Sequence, residues 1–179
     1  MQVDFSANYF ELFDLPLQFD IDETALEQRY REWQRLTHPD NFASAGEAEK
    51  RWSVQAAAHF NTAHMTLSKP LDRAVYLLKL QSVDLDVETD TRMAPDFLMM
   101  QMELREALEE IESASDPYAA ADKMRKQLDE HTQAVQKVFK DNLDKSDLDS
   151  ARDKAREWQF LDKLMREVRD TEARLDDDL

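Results

Sequence analysis

The chain contains no cysteine and a single glycine, Gly46, and each shortage removes a class of function. Without thiols there are no disulfides, no thiolate nucleophile and no thiolate metal ligand. One glycine cannot furnish the hairpins of a sheet protein, nor the loops that cradle phosphates or dinucleotides. Prolines number five, and no apolar run reaches membrane-spanning length. The opening MQVDFSANYF has neither the basic nor the apolar segment of a secretory signal, so the expected location is the cytoplasm. Basic residues are scarce too: 23 against 39 acidic ones, a net charge of -16 that repels phosphate backbones and anionic lipid. Neither nucleic acid nor a membrane is an expected partner. With 179 residues the chain has room for one ordinary domain or two small ones, and everything above favours helices.

What is present supports an all-α reading. Tyr9 to Leu15 is a short aromatic segment halted by Pro16, stable only by docking Phe10 and Phe13 inward. Asp20 and Asp22 offer N-cap carboxylates, Asp20 with Glu23 fitting a capping box. The spacing then predicts a helix over 23–37 whose Leu26, Tyr30 and Trp33 recur at i, i+4, i+7, leaving Gln28, Arg31 and Arg35 outward. It must stop at His38-Pro39-Asp40, because proline pushes the residue before it out of the helical region. Taken alone, that tripeptide fits a capping turn as well as it fits a recognition tip, and Arg31 and Arg35 fit a solvated face equally well. A third helix follows from about Glu47 to Leu67, with Ala56, Phe60, Ala63 and Leu67 inward, and a fourth over 71–80. The polar, acidic stretch 81–94 reads as a linker between a domain at 1–80 and one at 95–179.

The second half predicts three helices, 95–113, 117–143 and 147–175, hence a three-helix bundle. In the second, Leu128, His131, Val135 and Val138 form the stripe; in the third, Ala151, Ala155, Trp158, Leu161, Met165 and Val168 do. The first carries more apolar residues than one face can hold. Phe97, Leu104, Leu108 and Ile111 face the core, while Leu98, Met99 and Met102 point away among Glu103, Glu106 and Glu110; Phe160 of the third helix is likewise off its stripe. Apolar residues ringed by carboxylates mark a docking patch or, alternatively, a helix buried on several sides.

No active site is legible. His59 and His64 are five apart and diverge on a helix, and the aspartates of 141–153 lack the glycine and ligand spacing of a calcium loop. No serine or threonine sits in a nucleophile elbow, and nothing marks any carboxylate pair as buried. The expected protein is not an enzyme and holds no metal or cofactor.

Six ordered blocks nevertheless resemble one family. They are Tyr9-Phe10-x-Leu12-Phe13-x-Leu15-Pro16, His38-Pro39-Asp40, Phe60-Asn61-x-Ala63-x-x-x-Leu67, Arg73-Ala74-x-Tyr76-Leu77-Leu78, Phe97-Leu98-Met99-x-Gln101-x-x-Leu104-Arg105-Glu106, and Phe160-Leu161-Asp162-Lys163-Leu164. Together they resemble the HscB-type co-chaperones of iron-sulfur cluster assembly, which join a J-domain to a C-terminal helical bundle. The resemblance implies a protein, monomeric or weakly dimeric, that brings an IscU-like scaffold protein to an HscA-like chaperone of the DnaK type and stimulates its ATPase. It implies that His38, Pro39 and Asp40, with Arg31 and Arg35, engage the chaperone. It also implies that Leu98, Met99, Met102, Glu103, Glu106, Glu110 and Phe160 hold the scaffold. Two positions depart from the family pattern: Asn41 replaces a common lysine and His64 a common aromatic, the first expected to weaken attraction to an acidic chaperone surface, the second to alter packing. A J-domain adaptor for another client and a purely structural, self-associating bundle are the competing readings.

Overall fold

A computed structural model describes residues 3–85 and 95–177. Among these it contains only helices and turns: α1 (Tyr9–Leu12), α2 (Glu23–Thr37), a 3-10 turn (Pro39–Phe42), α3 (Glu47–Ser68), α4 (Pro70–Leu80), α5 (Pro95–Glu109), α6 (Pro117–Asp144) and α7 (Leu148–Asp177). The all-α class and the expected architecture, a helical hairpin with bracing helices followed by a three-helix bundle, are both seen. The chain divides into two compact units, Met1–Gln81 and Ser82–Leu179. Of the expected linker, residues 86–94 lie outside the described residues.

In the first unit α2 and α3 pair through a core of Leu26, Phe60 and Leu67, with Phe10 and Phe13 entering from the N-terminal side. Four residues are too few for an autonomous helix, so α1 depends on its attachments. Asn8 accepts from the backbone N–H groups of Phe10 and Glu11, and the Glu11 carboxylate accepts in return from the Asn8 N–H. The Tyr9 N–H donates to the Tyr76 hydroxyl at 3.0 Å beneath a ring stack of 4.4 Å, and burial raises the Tyr76 pKa. The N-cap of α2 is Asp22, accepting from the Ala25 N–H at 3.0 Å, rather than the expected Asp20–Glu23 box. Trp33 stacks on Phe60 at 4.2 Å, and Phe13 meets the same ring edge-on at 5.8 Å.

Among the described residues Arg73 is the one buried cation of this unit. Its guanidinium donates to the Leu67 carbonyl at the end of α3 and lies 5.2 Å above the Phe19 ring. Desolvation lowers its pKa, opposed by the charges of Glu23 and Asp20. A planar fork can serve a carbonyl and an aromatic face together; an ammonium point charge cannot. Arg73→Lys is therefore expected to destabilise this unit by about 1.5–3 kcal/mol, the range for a charge-assisted hydrogen bond. An unchanged urea midpoint would refute this.

In the second unit α6 and α7 form the principal pair and α5 lies against both. Leu128 and Val135 are buried as expected, but Val138 is exposed and its place is taken by Phe139, which meets Trp158 edge-to-face at 6.3 Å. At about 100° per residue Val138 lies about 80° from Leu128, whereas Phe139 lies about 20° away. In α7 Leu164 is buried where Met165 was expected. The buried face drifts around a long helix, from Trp158 through Leu161 and Val168 to Thr171, and that drift carries Met165 to the rim. α5 ends at Glu109 instead of Ser113; beyond it the Ile111 N–H reaches the Leu108 carbonyl in a tightened turn, and Ile111 stays buried.

Three helices end without glycine in the left-handed turn that usually calls for one: α4 at Ser82, with φ 62°, and two more whose closing bonds are alike. After α6, Ser146 has φ 58°, its N–H bonded to the Leu143 carbonyl and that of Asp147 to Asn142. After α1, Asp14 has φ 45°, with its N–H on Glu11 and that of Leu15 on Phe10. Both are Schellman closures. Asp14 has a further partner, an ion pair with Arg29 at 2.9 Å, while Arg29 also donates to the Phe13 carbonyl.

Candidate functional site

In the first unit the candidate residues collect where α2 ends. Pro39 forces His38 to an extended ψ of 128° and opens the 3-10 turn. An open groove of about 590 Å3 follows, lined by Arg31, Gln34, Arg35, His38, Pro39 and Asn41 on one side and by Ala57, Phe60 and Asn61 of α3 on the other. Arg31, Arg35, His38 and Pro39 thus share one concavity; Asp40 does not line it, and its side chain is almost fully exposed. The far end of the loop is held by Phe42, whose ring lies 5.7 Å from that of Trp52.

The His38 ring is 60% exposed, with Nδ1 3.3 Å from the Asp40 backbone nitrogen and 3.6 Å from the Asp40 carboxylate. The two roles exclude each other, since accepting from an N–H needs a bare Nδ1 and pairing with the carboxylate needs a protonated one. A backbone N–H has only its hydrogen to offer, so the neutral ring with its proton on Nε2 fits best. That tautomer leaves Nε2–H as the ring's donor.

Arg31 is steadied from behind. Its Nε donates to Glu27 at 2.8 Å, and the other Glu27 oxygen lies 3.1 Å from Nε2 of His64. The Arg31 hydrogen bond, with a smaller contribution from His64, holds the Glu27 carboxyl below its usual pKa. The His64 ring stacks on Tyr30 at 3.9 Å, and the Tyr30 hydroxyl donates to Asn61 at 2.9 Å. His64 therefore does more than pack: it ties α3 to the carboxylate that orients a groove cation. Neither Glu27 nor His64 was singled out from the sequence for this role, although their neighbours on the helix stripe were.

In the second unit Leu98, Met99 and Met102 are 46, 61 and 72% exposed, beside the exposed Glu103 and Glu106 on the same side of α5, with Glu110 exposed just past its end. Leu104 and Ile111 are buried, so the two-faced reading of this helix holds. Phe160 is placed differently. It is half-buried, its ring edge-to-face with Phe97 at 5.7 Å and covered by the Arg105 guanidinium at 5.6 Å. It belongs to the seam between α5 and α7 and not to the open face. Its partner Phe97 is itself half-buried.

Among the described residues no group of three or more His, Asp or Glu side chains converges as metal ligands would, and no helix is long and apolar enough to cross a membrane. What these surfaces offer is recognition: a groove with two guanidinium groups and an imidazole, and an apolar face edged with carboxylates.

Known proteins share this fold. A family model described as the HSCB C-terminal oligomerisation domain matches residues 93–169. A co-chaperone protein HscB homolog of Photobacterium profundum is 44% identical over 161 residues, spanning 90% of this chain and 94% of that protein. The chain belongs to the HscB co-chaperone family. Among solved structures, the chaperone HscB from Vibrio cholerae is 40% identical, covers 94% of this chain and 99% of its own, and superimposes with a TM-score of 0.84. Human HscB, at 26% identity, covers 96% of this chain and 85% of its own with a TM-score of 0.88. The HscB fold, J-domain followed by helical domain, thus accounts for nearly the whole chain, and relatives this similar are named as co-chaperones.

Proposed function

We propose that the chain delivers an IscU-like iron-sulfur scaffold protein to an HscA-like chaperone of the DnaK type and stimulates that chaperone's ATPase, acting in the cytoplasm. Residues 1–80 are the J-domain and engage the chaperone through Arg31, Arg35, His38, Pro39 and Asp40. Residues 95–179 hold the scaffold, and 81–94 join the two. The observation that carries the chaperone half is the groove in which Arg31, Arg35 and His38 converge around a turn fixed by Pro39. Such a surface suits an acidic partner, and stimulation requires that it touch one state of the chaperone more favourably than another.

The scaffold half rests on Leu98, Met99 and Met102, large apolar side chains exposed together on one helix. Glu103, Glu106 and Glu110 edge that patch, and Phe160 supports it from the seam behind. Met99→Ala combined with Met102→Ala is expected to weaken scaffold binding about thirtyfold, or ~2 kcal/mol shared over two interface anchors. The fold should be untouched, since both side chains are largely solvent-exposed. The test is calorimetric titration with the scaffold protein, followed by scaffold-dependent stimulation of the chaperone ATPase; equal affinity for both forms would refute the assignment. Phe160→Ala is a poorer probe because it also opens the contact with Phe97.

A second reading is favoured by the description of the matched domain, oligomerisation. In it the same methionine face joins two copies, giving a weak dimer in place of a monomer. Sedimentation velocity over a range of concentrations separates the two, because only self-association makes the sedimentation coefficient rise with concentration.

A further inference from the structure

We infer that Asn41 is a positioning residue, whose carboxamide gives the Arg35 carbonyl the hydrogen that Pro39 lacks and so fixes the His38 loop against the end of α2. In an α-helix the carbonyl of residue 35 is matched by the N–H of residue 39. Residue 39 is proline, which has none. The donor comes instead from two residues further on: Asn41 Nδ2 lies 2.6 Å from the Arg35 oxygen. A carbonyl can only accept, so this end of the carboxamide must be the nitrogen. The backbone N–H of Asn41 is used as well, donating to the His38 carbonyl at 3.0 Å. One residue therefore bonds both to the last turn of α2 and to the loop residue that leads out of it. Because Asn41 also lines the groove with Arg35 and His38, its anchorage sets where the imidazole stands relative to the cations.

Asparagine suits this place by size and by charge. The reach from residue 41 back to the carbonyl spans one short side chain, and the acceptor lies at a helix C-terminus, where the macrodipole disfavours a carboxylate. Aspartate, of the same shape, would set an oxygen against an oxygen. Alanine removes the donor without adding repulsion, so the two variants separate loss of the bond from a new charge.

The experiment compares the intact chain with Asn41→Asp and Asn41→Ala in two ways. Amide exchange by NMR on the free protein reports the loop itself, through the Asn41 and Ala43 N–H groups that bond to His38 and Asp40. Stimulation of the DnaK-type ATPase, measured as half-maximal concentration and as maximum, reports what the loop does; this arm rests on the function proposed above. Both variants are expected to exchange about tenfold faster, the scale of one modest hydrogen bond. The half-maximal concentration should rise, by no more than that factor, with the maximum retained, because apparent affinity falls with the fraction of molecules that hold the competent loop. Unchanged exchange in both variants overturns the inference. Faster exchange with unchanged stimulation overturns the positioning role. If the intact chain itself fails to stimulate, the proposed function fails, and the exchange data alone decide whether Asn41 holds the loop.

Discussion

His38→Gln is expected to cut the proposed stimulation of a DnaK-type ATPase by about thirtyfold or more, the scale of one interface anchor worth ~2 kcal/mol. Glutamine keeps a polar amide but not the flat ring whose Nδ1 faces the Asp40 N–H and whose Nε2–H is left to donate. The fold should hardly notice. The ring is 60% exposed and its one backbone bond is long, at 3.3 Å, so the change in folding free energy should stay within about 0.5 kcal/mol. The two readings must therefore diverge: an unaltered urea midpoint beside a collapsed ATPase response. Equal stimulation by both forms would remove His38 from the interface, and parallel loss of stability would recast it as a cap.

The largest effect on stability belongs to Phe139→Ala, expected to cost the second unit about 3–5 kcal/mol through lost burial and a cavity against Trp158. Val138→Ala, one residue away, should change stability by no more than about 0.5 kcal/mol, since Val138 is exposed. Thermal unfolding followed by circular dichroism distinguishes them. Similar losses at the two positions would mean that the face of α6 is not the one described.

That pair also shows where the sequence could be read and where it could not. Helix boundaries fixed by proline or by an acidic cap came out within a residue or two, as with Glu23–Thr37, because those signals act locally. Which of two adjacent apolar residues turns inward was not local. Val138 and Phe139, or Leu164 and Met165, are both credible on a stripe, and only the slow drift of the interface along two long helices decides between them. The candidate site followed the same division. The position of His38 and the outward pair Arg31 and Arg35 were legible from a tripeptide and a helical period. The bonds that hold them, from Glu27, His64 and Asn41, run between groups that no period relates. Phe160 was legible as off-stripe, but not as the partner of Phe97, since that pairing depends on how α5 lies across α7.

The glycine-free helix ends carry a consequence of another kind. Ser146 and Asp14 occupy left-handed positions that cost a residue with a side chain about 1 kcal/mol. Exchange for glycine at Ser146 relaxes the backbone and leaves both closing bonds, which the main chain makes, in place. Asp14 has less freedom, being held by Arg29. The loop at His38 has less still, because Pro39 creates a vacancy in the helix bonding that the Asn41 side chain fills. Tolerance of substitution is thus uneven among these turns, wider where only the main chain closes the turn, as at Ser146, and narrower where a side chain does, as at Asn41.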